Sequence, residues 1–228
     1  MRNFPRFCPM QNFLGRTPTL KKFVRVNLWG ASKLFLDEHV TECRGRWREA
    51  LGGQVSQRLC LEVGSHLGKT LVELAEEHTD TLFIGSDITY KRVVSSAERL
   101  ERKKLANAAV LLGDMKQIER FFKADELDLV MIFFPDPWSK KAQRKHRLIN
   151  VDFAEAVKGV LAKTGVVWVK MDQLDYFEQT KESLKKAGFS EAPQSVLDIK
   201  LSKPTTFERK FNELGRPTYE GFWVLENQ

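Results

Sequence analysis

The sequence predicts a doubly wound α/β fold, in which helices cover both faces of a mostly parallel sheet. Two observations carry this prediction. From residue 57 onward, short apolar stretches of strand length alternate with longer stretches whose apolar residues recur at helical spacing. The apolar stretches are nearly continuous, as expected for strands that are buried on both faces. Such an alternation requires crossover connections and therefore parallel strands.

Five predicted strands follow one another along the chain, and each ends close to an acidic residue. They cover residues 58–63, 81–87, 108–114, 127–134 and 166–172. Predicted helices follow them at residues 67–78, 90–106, 116–124 and 151–165, and a last helix begins at residue 174 and is closed by Gly188. The tail adds two extended stretches, at residues 195–201 and 218–225.

The segment before this alternation is predicted to be helical. Residues 31–51 carry apolar side chains at loosely helical spacing and end at Gly52 and Gly53, which suit a helix C-cap. We therefore divide the chain into a basic N-terminal arm (1–30), an N-terminal helix with its linker (31–56) and a main domain (57–228).

The charge of the chain indicates its partner. The 228 residues carry a net charge of +7, and residues 1–36 contain seven Lys or Arg and no acid. A basic balance of this size favours polyanions, of which nucleic acid is the commonest. For the arm taken alone, the alternative is a solvated, mobile tail.

Several other classes are excluded by composition. The chain has no run of about eighteen uncharged apolar residues, so no membrane span is expected. Cys8, Cys43 and Cys60 are dispersed and lack the spacing of metal ligands, which argues against a metal site and a disulfide framework. The N-terminus lacks the apolar core of a secretory signal. We therefore expect a cytoplasmic protein without a metal, either a monomer or a homodimer.

The predicted strand ends are unusually acidic. Doubly wound sheets bind ligands at the carboxyl ends of their strands, so chemistry is expected there. A helix N-cap is the alternative role for each acid alone, but caps do not require an acid after five successive strands. The five residues are Glu62, Asp87, Asp114, Asp136 and Asp172.

A glycine turn follows the first predicted strand. Gly64 and Gly68 flank the turn, where a missing Cβ lets a ligand approach the backbone at a helix N-terminus. The G-x-G-x-x-G fingerprint is absent because His66 occupies its second glycine position. The turn therefore fits either a nucleotide-like ligand or a plain tight turn. Asp87 favours the ligand, since an acid ending the second strand can accept both ribose hydroxyls, and Asp114 could accept from an adenine amino group.

The fourth predicted strand ends in a loop of unusual composition. Asp136 lies between Pro135 and Pro137, whose fixed φ and missing N–H keep it out of the following helix. Trp138 either stacks on a base or covers the loop. A basic cluster follows, which suits phosphate contacts or, alternatively, a solvated loop. Its members are Lys140, Lys141, Arg144, Lys145, His146 and Arg147.

Taken together, these motifs resemble those of the bacterial tRNA (guanine-N(7)-)-methyltransferases. The most specific are Phe-Pro-Asp-Pro-Trp with a basic run, at residues 134–147, and Thr-Thr-Phe-Glu at residues 205–208. The acid-glycine turn at 62–68, Ile-Gly-Ser-Asp at 84–87, Gly-Asp at 113–114 and Met-Asp at 171–172 add to them. The resemblance covers roughly residues 58–225.

This resemblance implies a Rossmann-like, S-adenosylmethionine-dependent enzyme that methylates nitrogen 7 of a guanine in the variable loop of tRNA. It implies Asp136 as the catalytic residue at the reacting centre. Cofactor contacts are implied for Glu62, Gly64, Gly68, Asp87, Asp114 and Asp136. Substrate contacts are implied for Lys140, Asp172, Thr205, Thr206, Phe207 and Glu208.

Some positions depart from the family pattern and keep an alternative open. His66 stands where the family usually has glycine, which adds a Cβ near the sulfonium and is expected to weaken cofactor binding. Asp87 replaces a longer glutamate, and residues 171–173 keep only the acid of their motif. The alternative is a tRNA-binding paralogue or complex subunit with impaired catalysis. A nicotinamide dehydrogenase is disfavoured by the missing fingerprint.

Overall fold

The computed structural model describes residues 33–226, which contain eight strands and seven α-helices. The strands are β1 (Leu34–Leu36), β2 (Leu59–Val63), β3 (Leu82–Asp87), β4 (Ala108–Leu112), β5 (Leu127–Phe133), β6 (Leu161–Met171), β7 (Phe189–Ala192) and β8 (Tyr219–Leu225). The helices are α1 (Asp37–Cys43), α2 (Trp47–Ala50), α3 (Lys69–Glu77), α4 (Tyr90–Lys103), α5 (Val151–Val160), α6 (Leu174–Lys186) and α7 (Thr206–Glu213). Short 3₁₀ helices cover Met115–Arg120, Lys141–His146 and Gln194–Val196.

All eight strands form one sheet in the order β1-β4-β3-β2-β5-β6-β8-β7. Strands β1 to β6 are parallel to one another, while β8 runs antiparallel to β6 and to β7. The predicted doubly wound, mostly parallel α/β fold is therefore confirmed.

Two hydrophobic layers hold the helices on opposite faces of the sheet. One layer combines Trp47, Phe153 and Tyr176, from α2, α5 and α6, with one set of strand residues. The other combines Leu71 of α3 and Val93 of α4 with the opposite set. Every residue of β2 and β3 is buried, which explains why these strands are apolar without alternation.

The single helix predicted for residues 31–51 is wrong. Within the described residues this segment forms β1, α1 and α2, and β1 pairs with β4 through Leu34 and Val110. The Glu126 carboxylate accepts hydrogen bonds from the backbone N–H groups of Gly45 and Trp47, which fixes the break between the two helices. The predicted basic arm, 1–30, lies outside the described residues.

Other elements also differ from the sequence prediction. The short helix predicted for residues 116–124 is a 3₁₀ helix that covers Met115–Arg120. The helix expected to reach residue 165 ends at Val160, because Leu161 turns to an extended backbone and begins β6 beside Leu127 of β5. Residues 195–201 are not a strand, although Leu197 and Ile199 are buried against the core. The sheet instead gains the short strand β7, and the connection before β8 contains helix α7.

Candidate active site

The sheet brings the five predicted acids to one edge. Glu62 lies in β2 and Asp87 ends β3, while Asp114, Asp136 and Asp172 follow β4, β5 and β6 within three residues. Strands β2 to β6 are parallel, so their carboxyl ends share this edge. The strand order reverses between β2 and β5, and sheets of this type bind ligands at such a reversal.

The glycine turn after β2 needs its glycines for two different reasons. Gly64 and Gly68 have φ angles of +76° and +65°. A Cβ on Gly68 would lie 2.7 Å from the Cβ of Ser96, so only glycine fits there, whereas a Cβ on Gly64 would meet nothing within 4 Å. His66 between them also has a positive φ, of 52°. The backbone at Gly64 is therefore open to the approach of another molecule.

Glu62 is a buried carboxyl with an unused oxygen. Its side chain is 4% exposed, and Oε2 is buried without a hydrogen-bond partner in the described residues. Burial raises its pKa from 4.5 to about 8, and the nearby charge of Glu73 adds to the increase. A cationic group at this position would restore the ionised form and supply the missing partner.

Asp87 and Asp114 both have local partners. Asp87 Oδ1 accepts from the backbone N–H of Thr89 at 2.8 Å, and Oδ2 pairs with the Arg92 guanidinium at 3.4 Å. Asp114 Oδ1 accepts from the backbone N–H of Lys116 at 3.0 Å and caps the following 3₁₀ helix. The capping role considered from the sequence is thus observed for Asp114, which is exposed and whose second oxygen has no hydrogen bond within residues 33–226.

The loop after β5 presents Asp136 on a constrained backbone. Phe134 and Trp138, on either side of the Pro-Asp-Pro unit, have φ angles of 50° and 42°. The Phe134 N–H donates to the carbonyl of Lys170 at 2.7 Å, which ties the start of the loop to β6. Asp136 is exposed, and its carboxylate has no hydrogen bond or ion pair within residues 33–226.

The basic cluster after this loop divides into exposed and buried members. Lys140, Lys141 and Lys145 are exposed, as a phosphate-binding surface requires. Arg147 is 1% exposed and is bonded to the carboxylate of Asp175 at 2.6 Å, so its predicted place in that surface is wrong. Trp138, at the start of the run, packs against His146 with ring centroids 5.3 Å apart and remains partly exposed.

Asp172 and Glu208 are held by cationic side chains. Asp172 Oδ2 accepts from Gln173 Nε2 at 3.0 Å and from Arg216 Nη1 at 3.1 Å. Both oxygens of Glu208 accept from the Lys170 ammonium, at 3.2 and 3.3 Å. Lys170 is buried and forms a further ion pair with Glu220 at 3.4 Å. The sequence predicted the two acids but not the cations that fix them.

A capping box fixes the Thr-Thr-Phe-Glu motif. Thr205 Oγ1 accepts from the Glu208 N–H at 3.1 Å, and Glu208 Oε2 accepts from the Thr205 N–H at 3.1 Å. Sequence reasoning missed helix α7, although threonine followed three residues later by glutamate is the usual sequence signal for such a helix start.

Aromatic contacts bring α7 to the other parts of the edge. The ring of Phe207 packs edge-on against His66 at 5.5 Å and lies 6.3 Å from the ring of Phe134. Phe211, one turn further along α7, packs against Phe134 at 5.4 Å. The glycine turn, the Asp136 loop and α7 therefore form one continuous site.

The described residues lack two kinds of feature. No group of three or more His, Cys, Asp or Glu side chains there could hold a metal ion. No helix in that part of the chain is long and apolar enough to cross a membrane.

Sequence comparisons add the family context. Residues 56–221 match a family model described as "Putative methyltransferase". The tRNA (guanine-N(7)-)-methyltransferase of Geobacillus kaustophilus is 35% identical to the chain over 181 residues, which are 77% of this chain and 82% of the relative. An Exiguobacterium protein of the same name is 30% identical over 80% of this chain and 86% of its own length.

A comparison with solved structures agrees on the fold. The antibiotic-resistance methyltransferase Kmr superposes with a TM-score of 0.57 over 81% of this chain and 93% of its own, at 17% sequence identity. At that identity the likeness bears on the arrangement of strands and helices alone.

Proposed function

The chain belongs to the bacterial tRNA (guanine-N(7)-)-methyltransferase family, and we propose that it transfers a methyl group from S-adenosylmethionine to nitrogen 7 of a guanine in tRNA. The observation that carries the proposal is an exposed carboxylate without a partner, Asp136, at the reversal of the strand order. Within tRNA, we assign the target to the variable loop.

The residues at the edge fit S-adenosylmethionine. Its methionine end carries an ammonium group, and Glu62 offers a buried, unpartnered oxygen to such a cation. The bare backbone at Gly64 leaves room for close approach. Asp87 can accept from the ribose hydroxyls, and the free oxygen of Asp114 can accept from the adenine amino group. Gly68 contributes by allowing the tight start of α3.

The reaction needs no general base from the protein. When bound, S-adenosylmethionine supplies a methyl group on a positively charged sulfur. Nitrogen 7 of guanine has an in-plane lone pair and no proton to remove. The chain therefore contributes alignment of the guanine and a suitable electrostatic field, two effects that can each supply several kcal/mol.

Asp136 provides the charge at the reacting centre. Positive charge moves onto the purine ring during the transfer, and a fixed carboxylate beside the ring stabilises it. The prolines on either side and the left-handed residues Phe134 and Trp138 restrict where this carboxylate can lie. No cation among the described residues pairs with this exposed carboxylate, so none competes with the substrate for it.

The remaining motif residues hold the guanine and its tRNA. Guanine presents a ring N–H and an amino group, which two carboxylates can recognise together. Asp172 keeps Oδ1 for this purpose while Oδ2 is fixed by Arg216. Glu208 is oriented by Lys170 and by the capping box, in which Thr205 is its partner. Thr206 and Phe207 line the same helix start.

The exposed lysines of the basic cluster bind the tRNA backbone. Lys140, nearest to Asp136 in sequence, contacts the substrate close to the target base. Lys141 and Lys145 lie on the 3₁₀ helix that follows and are exposed to solvent. Contacts of this kind add affinity and register without reading the base sequence. The basic arm, 1–30, is proposed to add further contacts.

Methyl transfer to unmodified tRNA tests the proposal directly. The substrate is incubated with S-adenosylmethionine labelled in its methyl group, and the methylated guanine is located by borohydride reduction and aniline cleavage. Wild-type protein should place the label in the variable loop, and Asp136→Ala should lose nearly all activity. Glu155→Ala is the matched control, because Glu155 is an exposed acid on α5, away from the strand ends. Full turnover by Asp136→Ala would show that the reacting centre is assigned wrongly.

Calorimetry separates the enzyme from the non-catalytic paralogue. The observation that favours the paralogue is His66, whose ring occupies the glycine turn and packs on Phe207. S-adenosylmethionine should bind the folded protein with measurable heat. Absence of binding, together with retained tRNA binding, would support the paralogue and overturn the enzymatic proposal.

A further inference from the structure

We propose that Arg147 is a positioning residue, which holds the Asp136 loop against helix α6 and does not bind tRNA phosphates. The inference rests on the proposed function, because the position of Asp136 matters only if this carboxylate acts at the reacting centre. It assigns a structural task to one member of a cluster whose sequence predicts nucleic-acid contacts.

Each nitrogen of the Arg147 guanidinium donates a hydrogen bond within the protein. Nε donates to the carbonyl of Pro137 at 2.9 Å, Nη1 donates to Gln179 Oε1 at 2.9 Å, and Nη2 donates to Asp175 Oδ2 at 2.6 Å. The guanidinium carbon lies 4.6 Å from the centre of the Tyr176 ring. All three nitrogens thus have partners, and one face of the group is covered by an aromatic ring.

Burial excludes Arg147 from the surface that tRNA would touch. Its side chain is 1% exposed, whereas the neighbouring Lys145 and His146 are exposed. The hydrogen bond from Arg147 lowers the pKa of Asp175, which keeps that carboxylate charged beside it. Moving the buried guanidinium out to a phosphate would break its hydrogen bonds to Pro137, Gln179 and Asp175, so the exchange is unfavourable.

These contacts place Arg147 at the base of the catalytic loop. Pro137 directly follows Asp136, and the bond to its carbonyl fixes the Pro137–Trp138 peptide, one residue beyond the proposed catalytic residue. The Tyr176 hydroxyl accepts from the Ile149 N–H at 2.9 Å. This bond anchors the end of the segment that connects β5 to α5. Burial raises the pKa of Tyr176 to about 12.

Arg144 offers a matched control. It pairs with the same carboxylate, Asp175, at 3.1 Å, but its side chain is 47% exposed. It has no bond to Pro137 in the described residues. Arg144→Gln therefore removes one positive charge from the same carboxylate as Arg147→Gln does, but it leaves the hydrogen bond to the Pro137 carbonyl intact.

The first experiment compares Arg147→Gln, Arg147→Lys and Arg144→Gln by kcat, by KM for tRNA and by the salt dependence of tRNA binding. Arg147→Gln should lower kcat at least tenfold and leave the slope of log affinity against log salt unchanged. Arg147→Lys should recover little, because one ammonium cannot reproduce the three directed bonds. Arg144→Gln should retain most of kcat. A slope reduced by about 1 in Arg147→Gln, with kcat retained, would identify a phosphate ligand and overturn the inference.

A double substitution separates positioning from general destabilisation. The rate of methyl transfer is measured under single-turnover conditions with labelled S-adenosylmethionine. Adding Arg147→Gln to Asp136→Asn should lower this rate less than twofold, because the carboxylate that Arg147 positions is already absent. The same tenfold loss in both backgrounds would show that Arg147 does not act through Asp136.

A third measurement does not depend on activity. Trypsin should cleave after Lys140 and Lys141 at least ten times faster in Arg147→Gln than in Arg144→Gln, because only the first change releases the base of the loop. Equal cleavage rates would overturn the inference even if the protein methylates tRNA. Faster cleavage in a protein without methyl transfer would support the anchoring of the loop and refute the proposed function alone.

Discussion

Replacing Glu62 by glutamine should stabilise the protein while weakening its binding of S-adenosylmethionine. Glu62 is 4% exposed, has an oxygen without a hydrogen-bond partner among the described residues, and has a pKa raised to about 8. Glutamine has nearly the same shape and is neutral at every pH. The substitution therefore measures how much the ionisation of this carboxyl lowers the free energy of unfolding.

The sign and size of the effect follow from the two pKa values. In the unfolded chain the carboxyl ionises near 4.5, and in the folded chain it ionises near 8, mainly because burial disfavours the charge. Below pH 4.5 both states are protonated and there is no penalty. As pH rises, the unfolded state loses its proton first, so stability falls by about 1.4 kcal/mol per pH unit until about pH 8. At pH 7 the accumulated penalty is about 3 kcal/mol.

Urea unfolding followed by tryptophan fluorescence measures this difference. Glu62→Gln should be more stable than the wild type, and its advantage should grow by about 1.4 kcal/mol per unit between pH 5.5 and pH 7.5. Glu73→Gln is the control, because the charge of Glu73 is the smaller cause of the raised pKa. It should shift the pH profile only slightly and leave the burial penalty in place.

An advantage that is constant with pH would refute the reasoning, since it would show that Glu62 has the same protonation state in the folded and unfolded chains. A destabilised Glu62→Gln protein would show that the amide finds fewer partners than the carboxyl, and that burial is not the dominant cost.

Three further predictions follow from the site. Because Glu62 must ionise when S-adenosylmethionine binds, the affinity should rise up to tenfold per pH unit below about pH 8, and binding should release a proton. Calorimetry in buffers of different ionisation enthalpy measures both effects. Gly68→Ala should destabilise the fold by roughly 2–4 kcal/mol in urea unfolding, since its Cβ would lie 2.7 Å from a serine side chain at a φ of +65°. The control Gly64→Ala, which has open space, should cost only about 1–2 kcal/mol. The double variant Lys141→Ala with Lys145→Ala should reduce the slope of log tRNA affinity against log salt by about 2. An unchanged slope would show that both lysines are solvated and do not contact phosphates.

The central sheet could be predicted because its strands are buried on both faces. Because β2 and β3 are buried on both faces, most of their residues are apolar and do not alternate with polar ones. An acid stands at or near the end of each strand, at the edge where a ligand would bind. The five acids were therefore visible as a set from the linear sequence. Their common edge follows from the parallel topology and needs no knowledge of individual contacts.

The elements that escaped prediction depend on contacts distant in sequence. Strand β1 has three residues and exists because β4 offers it an edge. Strand β7 has four residues and pairs only with β8 among the described strands. Arg147 stands in a basic run, and only the fold shows that Asp175 and Tyr176 bury it. Helix α7 was the exception, because the capping box of Thr205 and Glu208 was present in the sequence.

The pairing of the acids distinguishes two kinds of carboxylate at the site. Asp87, Asp172 and Glu208 are each held by a cation, respectively Arg92, Arg216 and Lys170. Groups that recognise neutral hydroxyls or amines need a fixed orientation more than an excess of charge, and an ion pair gives them that orientation.

Glu62 and Asp136 have no such cation within residues 33–226. The partners proposed for them are positive: the ammonium of S-adenosylmethionine for Glu62 and the methylated purine for Asp136. A resident cation beside either carboxylate would compete with that partner and weaken the stabilisation it receives. Introducing one beside the Asp136 loop, as in the exposed position Ser139→Lys, should therefore lower kcat more than removing Arg92 or Arg216 does.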